Sequence, residues 1–90
     1  MKTVRIIVSG RVQGIGFRYS ARHQAAHLRV TGYVRNLPNG DVEIVAEGED
    51  SAVDTMVQWA REGPTWAHVR NAQEEELPYQ GEYRDFGVRF

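Results

Sequence analysis

Between Gly10 and Arg18 the chain reads GRVQGIGFR, three glycines and two arginines set between a β-branched stretch and a helical one. A glycine loop leading from a strand into a helix N-terminus presents amide groups that have no intrahelical acceptor, beside the positive end of the helix dipole. That combination suits a phosphate or a carboxylate, and glycine lets the anion come close to the backbone. Arg18 falls in the first helical turn, where the dipole does not favour a cation. Its placement makes sense if an anion sits against it. The spacing is not the dinucleotide fingerprint, because Tyr19 stands where a third glycine or alanine belongs, and no lysine precedes a Ser or Thr as in a P-loop. On these residues alone two readings stay open, an anion cradle and a purely structural glycine turn.

The elements that must position this loop follow from periodicity. Val4, Ile6 and Val8 alternate with Arg5, Ile7 and Ser9, which is strand spacing with one face more apolar. From Phe17 the apolar positions Phe17, Ala21, Ala25 and Leu28 recur at three and four, one face of a helix. Gly32 to Leu37 and Val42 to Glu47 flank LPNGD, where Pro38 presets a turn and Asn39 and Gly40 tolerate positive φ. The pair reads as a β-hairpin with Val42, Ile44 and Ala46 facing inward. Ser51 with Asp54 resembles a capping box, Val53, Met56, Val57 and Ala60 mark a second amphipathic helix, and Gly63 and Pro64 end it. A poorly patterned strand from His68 to Leu77 and a short one at Phe86 to Phe90 complete the chain. The order β, α, β, β, α, β is the split βαβ arrangement of ferredoxin-like α+β folds. It implies an antiparallel sheet with both helices on one face and a short extra C-terminal strand. In that topology the first two strands run the same way with the third between them. The loop and Asn36 therefore end up at one edge, about 10 Å apart before side chains reach inward.

Ninety residues, 41% of them hydrophobic and with no spacer-like stretch, are read as one domain spanning 1–90, enough to bury roughly two thirds of the unfolded surface. There is no cysteine, which excludes a disulfide framework, a thiolate zinc site and a cysteine nucleophile. The first residues, MKTVRIIVSG, are too short and too interrupted for a signal h-region or a membrane span, so a cytoplasmic protein without membrane attachment is expected. Eleven basic against twelve acidic side chains leave a net charge of −1, so no global field draws the chain to nucleic acid. Any anion must be bound locally.

GRVQGIGFR followed at Gly32 by GYVRNLPNGDVE resembles the paired signature of the acylphosphatases, GxVQGVxFR and then GWVxN with a polar residue and Gly ahead of a VE strand. The similarity extends to AEG at Ala46 to Gly48, to the helix of Trp59 ending in Gly63 and Pro64, and to the length. Ile15 stands where valine is usual and Tyr33 where tryptophan is usual, and the region after Glu74 matches least. The resemblance implies a ferredoxin-like enzyme that hydrolyses acyl phosphates. By it the phosphate-binding arginine is Arg18, the water-orienting asparagine is Asn36, and the cradle of backbone amides is formed by Arg11, Val12, Gln13, Gly14, Ile15, Gly16 and Phe17. It implies no metal and no cofactor. The partner it implies is a small acyl phosphate, with phosphate or sulfate able to occupy the loop, and a monomer is expected. The chemistry fits the residues: the departing carboxylate has a conjugate acid of pKa about 4.3, so no general acid is required. What remains is to hold the phosphoryl group, spread its charge and place a water.

Other candidates receive plainer readings. His23 and His27, four apart on a helix, lack a third ligand and are read as a solvated face, and His68 as a strand surface residue. Asp41 and Glu43 are read as hairpin surface, Arg35 as a surface cation on the face opposite Asn36, Glu74 to Glu76 as a solvated edge, and Trp59 as partly buried packing. The letters Asp85, Phe86 and Gly87 match a kinase motif by coincidence in so short a chain. Against the enzyme stands a second class, a ferredoxin-like binding module that keeps the cradle without turnover or serves larger carbamoyl-phosphate-handling enzymes. RNA binding lacks the aromatic strand motif and the basic balance it needs.

Overall fold

Alternation along the strands decides which side of the sheet each residue joins. The computed structural model describes residues 1–90. It contains β1 (Lys2–Arg11), α1 (Phe17–Leu28), β2 (Thr31–Asn36), β3 (Val42–Gly48), α2 (Asp50–Glu62), β4 (His68–Leu77) and β5 (Phe86–Arg89). They form one five-stranded sheet in the order β4-β1-β3-β2-β5. Val4, Ile6 and Val8 of β1, Val34 of β2 and Val42, Ile44 and Ala46 of β3 are buried in one cluster with Phe17, Ala21 and Ala25 of α1. Val53, Met56, Val57 and Ala60 of α2 complete it. Both helices thus cover one face, as expected. Four strands pair antiparallel, while β5 pairs parallel with β2, so the sheet is mixed rather than wholly antiparallel.

Several local expectations are revised. The hairpin closes through Leu37 N to Asp41 O at 2.8 Å and Gly40 N to Leu37 O at 3.2 Å. Only Gly40 takes positive φ, 99°, while Asn39 instead accepts the Asp41 amide on its side-chain oxygen. The capping box does not form. Helix α2 begins a residue earlier than Ser51, with Glu49 at the N-cap and no side-chain cap: the Val53 amide already bonds to Glu49 O at 2.9 Å, and Asp54 pairs with Lys2 at 2.6 Å. The weak patterning of β4 also has a cause. Glu74 pairs with Ile6 and so lies on the helix side, but at the sheet edge it meets Arg61 of α2 at 2.9 Å rather than the apolar core.

The outer face holds a charge cluster where plain surface was expected. Glu43 is only 2% exposed, its carboxylate taking Nε of Arg5 and of Arg35, each at 2.6 Å, and the Tyr33 hydroxyl at 3.1 Å. Burial pushes the carboxyl pKa up, but the hydrogen bonds from Arg5, Arg35 and Tyr33 outweigh it and hold it below its ordinary value. Glu43 is therefore a structural anion under a lid of two arginines and a tyrosine, and Arg35 is one of the three.

Candidate active site

The loop is built from the end of β1 outward. The register of β1 against β4 shifts between Ser9 and Gly10. Gly10 has φ of 127°, and a Cβ there would lie 2.1 Å from the His68 carbonyl oxygen, so only glycine passes. Val12 is buried and anchors the next step. Gly14 and Gly16 have φ of 77° and 82°, yet nothing lies within 4 Å of a Cβ at either. Their glycine is required by backbone conformation, and open space lies above it. Gly16 is the N-cap of α1, with no side-chain cap and no acidic residue in the first turn. The Ser20 amide is bonded to Gly16 O at 3.0 Å, so the amides before it belong to the unpaired set of a helix start.

Two side chains brace this loop. Gln13 Nε2 donates to Leu37 O and to Asp41 O, both at 2.8 Å, spanning the neck of the hairpin directly after Asn36. The Trp66 indole N–H donates to Ile15 O from the turn that follows α2. Gln13 was expected to contribute its backbone amide, and its side chain adds a bridge between the two motifs. Trp66 carries no motif in the sequence, and 51 residues separate it from its partner.

Arg18 and Asn36 come to the same end of the sheet. Arg18 Nη1 donates to Arg89 O at 3.2 Å, and its guanidinium lies 4.6 Å from the Phe90 ring centre. No carboxylate pairs with it. Arg89 is register partner to Arg35, the neighbour of Asn36. Asn36 pairs with Val42, which on its other side pairs with Val8, placing Asn36 two strand spacings, about 10 Å, from the strand that feeds the loop. It follows the alternation of fully buried Val34 and so faces the helix side, whereas Arg35 turns outward to Glu43. Asn36 Oδ1 is buried and accepts no hydrogen bond from the protein. A buried carbonyl oxygen left without a donor is costly, by about 1–3 kcal/mol, and such atoms concentrate where a ligand or water completes the set.

A family model described as acylphosphatase matches residues 4–88, a span that holds the loop, Arg18 and Asn36 together. The chain belongs to the acylphosphatase family. An acylphosphatase of Rubrobacter xylanophilus is 54% identical over 88 residues, 98% of this chain and 80% of that one. Among solved structures, acylphosphatase from Bacillus subtilis matches with a TM-score of 0.94 at 34% identity, covering 100% of both chains. One from Coxiella burnetii matches with 0.92 at 44% identity, over 98% of this chain and 92% of that one.

Against the acylphosphatase fold the remaining candidates find their places. His23, His27 and His68 are exposed, and no group of three or more His, Asp or Glu side chains is gathered anywhere. The largest cleft, about 760 Å³, runs along α1 between Tyr19, Arg29 and Phe86 and includes none of the loop residues. The loop is open at Gly14 and Gly16, where nothing lies within 4 Å of a Cβ, so it forms a surface feature rather than a cleft. Trp59 packs as expected, its ring 5.4 Å from that of Phe17. No helix is long and apolar enough to cross a membrane.

Proposed function

We propose that this protein hydrolyses the carboxyl–phosphate bond of small acyl phosphates, with the phosphoryl group held by the amides of Arg11 to Phe17 and by Arg18, and with the attacking water oriented by Asn36. Water oxygen bonds to phosphorus as the bond from phosphorus to the acyl oxygen breaks. The electron pair leaves with the carboxylate, and one water proton passes to a phosphoryl oxygen, giving a carboxylate and dihydrogen phosphate. The carboxylate is stable without protonation, so neither a general acid nor a metal is needed in this scheme. Asn36 suits the water because a carboxamide both donates and accepts while adding no charge beside a dianion. An aspartate there would repel the substrate. The reading includes a cytoplasmic monomer whose loop also takes phosphate or sulfate.

The observation that carries this reading is the unpaired, buried Asn36 Oδ1 at the sheet end where Arg18 has no carboxylate partner. The test is hydrolysis of benzoyl phosphate in the presence of a chelator. The parent should turn over, and Arg18→Ala should lose kcat/KM by about 10²–10³, the scale of removing one oxyanion donor. A folded parent without turnover would sink the enzyme reading. Loss on chelation would sink the metal-free scheme alone.

A further inference from the structure

We propose that Trp66 is a positioning residue of the active site: by holding the Ile15 carbonyl, its indole N–H aims the Gly16 amide at the bound phosphoryl group. This rests on the reading of the loop as a phosphate cradle and goes beyond it, to which donor is aimed and by what.

The geometry starts from one peptide. The Ile15–Gly16 unit is trans and planar, so its C=O and its N–H point in opposite directions. The Ile15 oxygen is taken by the Trp66 indole. The Gly16 N–H is thereby turned away from Trp66. On the other side of Gly16, its carbonyl accepts the Ser20 amide and starts α1, so both peptides around Gly16 are fixed. Without the indole, nothing else among the hydrogen bonds restrains the Ile15 carbonyl. Glycine tolerates φ of either sign, so this peptide could rotate at little steric cost.

Trp66 itself is set firmly enough to do this. It lies in a turn closed by Ala67 N to Pro64 O at 2.9 Å. The turn leaves α2 at Gly63, with φ of 72°, where a Cβ would come within 3.3 Å of Phe17 Cε2 and of Ala67 Cβ and 3.0 Å of Val69 Cγ2. The turn therefore packs against the first residue of α1. Trp66 remains 58% exposed, so burial of its ring accounts poorly for a tryptophan at this position, whereas its N–H has a defined acceptor.

The experiment follows the Gly16 and Gly14 amides in ¹H–¹⁵N spectra during titration with inorganic phosphate, in the parent and in Trp66→Phe, which keeps a ring and removes the N–H. Activity on benzoyl phosphate and unfolding by urea are measured alongside. In the parent, phosphate should shift the Gly16 amide. In Trp66→Phe that shift should shrink, and phosphate Ki and KM should both rise about tenfold, the size of one misaligned hydrogen bond to a charged group, with kcat within about twofold and an unchanged urea midpoint. Parental Ki, KM and Gly16 response in the variant would overturn the inference. So would a parent in which Gly14 and Phe17 respond while Gly16 does not, and there the cradle would stand. If no loop amide of the parent responds, the cradle reading itself fails, and the role of Trp66 fails with it.

Discussion

Replacing Asn36 by alanine should separate activity from stability. Oδ1 is buried without a protein donor, so the substitution breaks no hydrogen bond within the protein and removes an acceptor whose desolvation costs up to about 1–3 kcal/mol where water does not fully satisfy it. Against this stands the packing lost with a half-buried carboxamide at the end of β2, smaller than a full core truncation. Backbone pairing with Val42 is untouched. The balance predicts that Asn36→Ala is as stable as the parent or more stable by up to about 2 kcal/mol. At about 4–8 °C per kcal/mol for a domain of this size, that is an unchanged or raised Tm. In the same protein kcat on benzoyl phosphate should fall by about 10²–10³, the range for losing one oriented polar group at the reacting centre. The Ki for inorganic phosphate should stay put if Asn36 acts on the water, as proposed, rather than on the phosphate. Asn36→Asp should behave differently, weakening phosphate through charge repulsion. Urea midpoints at constant m-value, kcat and phosphate Ki together decide it. A variant less stable by more than about 1 kcal/mol would mean that Oδ1 has a structural partner, and a Ki that rises in step with the loss of kcat would make Asn36 a phosphate ligand. Either result refutes the reasoning.

Two further outcomes follow from the braces and the outer face. Gln13→Leu removes both 2.8 Å bonds to the hairpin neck and should lower stability by about 1–3 kcal/mol in urea and kcat/KM about tenfold; a fall in stability alone would confine Gln13 to the fold. Glu43→Gln should be less stable at pH 7 by about 1–2 kcal/mol, discounted because its arginines are 39% and 47% exposed. Because the folded pKa of Glu43 is lowered from 4.5, its contribution is present above that value and is lost as pH falls through the folded value. The gap between parent and variant in urea midpoint should therefore close below about pH 4.5, and a gap constant to pH 3 would contradict the assignment.

What the sequence made legible was local. The glycine loop, the start of α1 at Phe17, the inward set Val42, Ile44 and Ala46, and the apolar stripe of α2 are each written within a dozen residues. What stayed hidden needed register between distant strands. Alternation put Glu43 on the outer face correctly, but its burial comes from Arg35 directly opposite and from Arg5 one strand over, a neighbourhood that exists only once β3 lies between β1 and β2. The expected strand order contained that information, since both arginines flank the strand that carries Glu43. The parallel pairing of β5 and the reach of Trp66 to Ile15 left no comparable trace, because neither rests on a periodic pattern.

The outward and inward residues of β2 are linked by the pleat, and this bears on how Asn36 is held. A one-residue slip of β2 against β3 would send Asn36 to the outer face and Arg35 into the core. Two interactions oppose it: burial of Val34, which is fully inaccessible, and the pair of Arg35 with Glu43. Burying a valine side chain stabilises by about 1.5–3 kcal/mol, while a pair whose arginine is 47% exposed contributes about 1 kcal/mol or less. Val34 therefore dominates, and its register also carries Gly32, where a Cβ would strike the Val45 carbonyl oxygen at 1.9 Å. Glu43→Gln should accordingly keep parental kcat on benzoyl phosphate while losing stability. A large loss of kcat in that variant would show that the outer charge cluster, and not the core, sets the direction of Asn36.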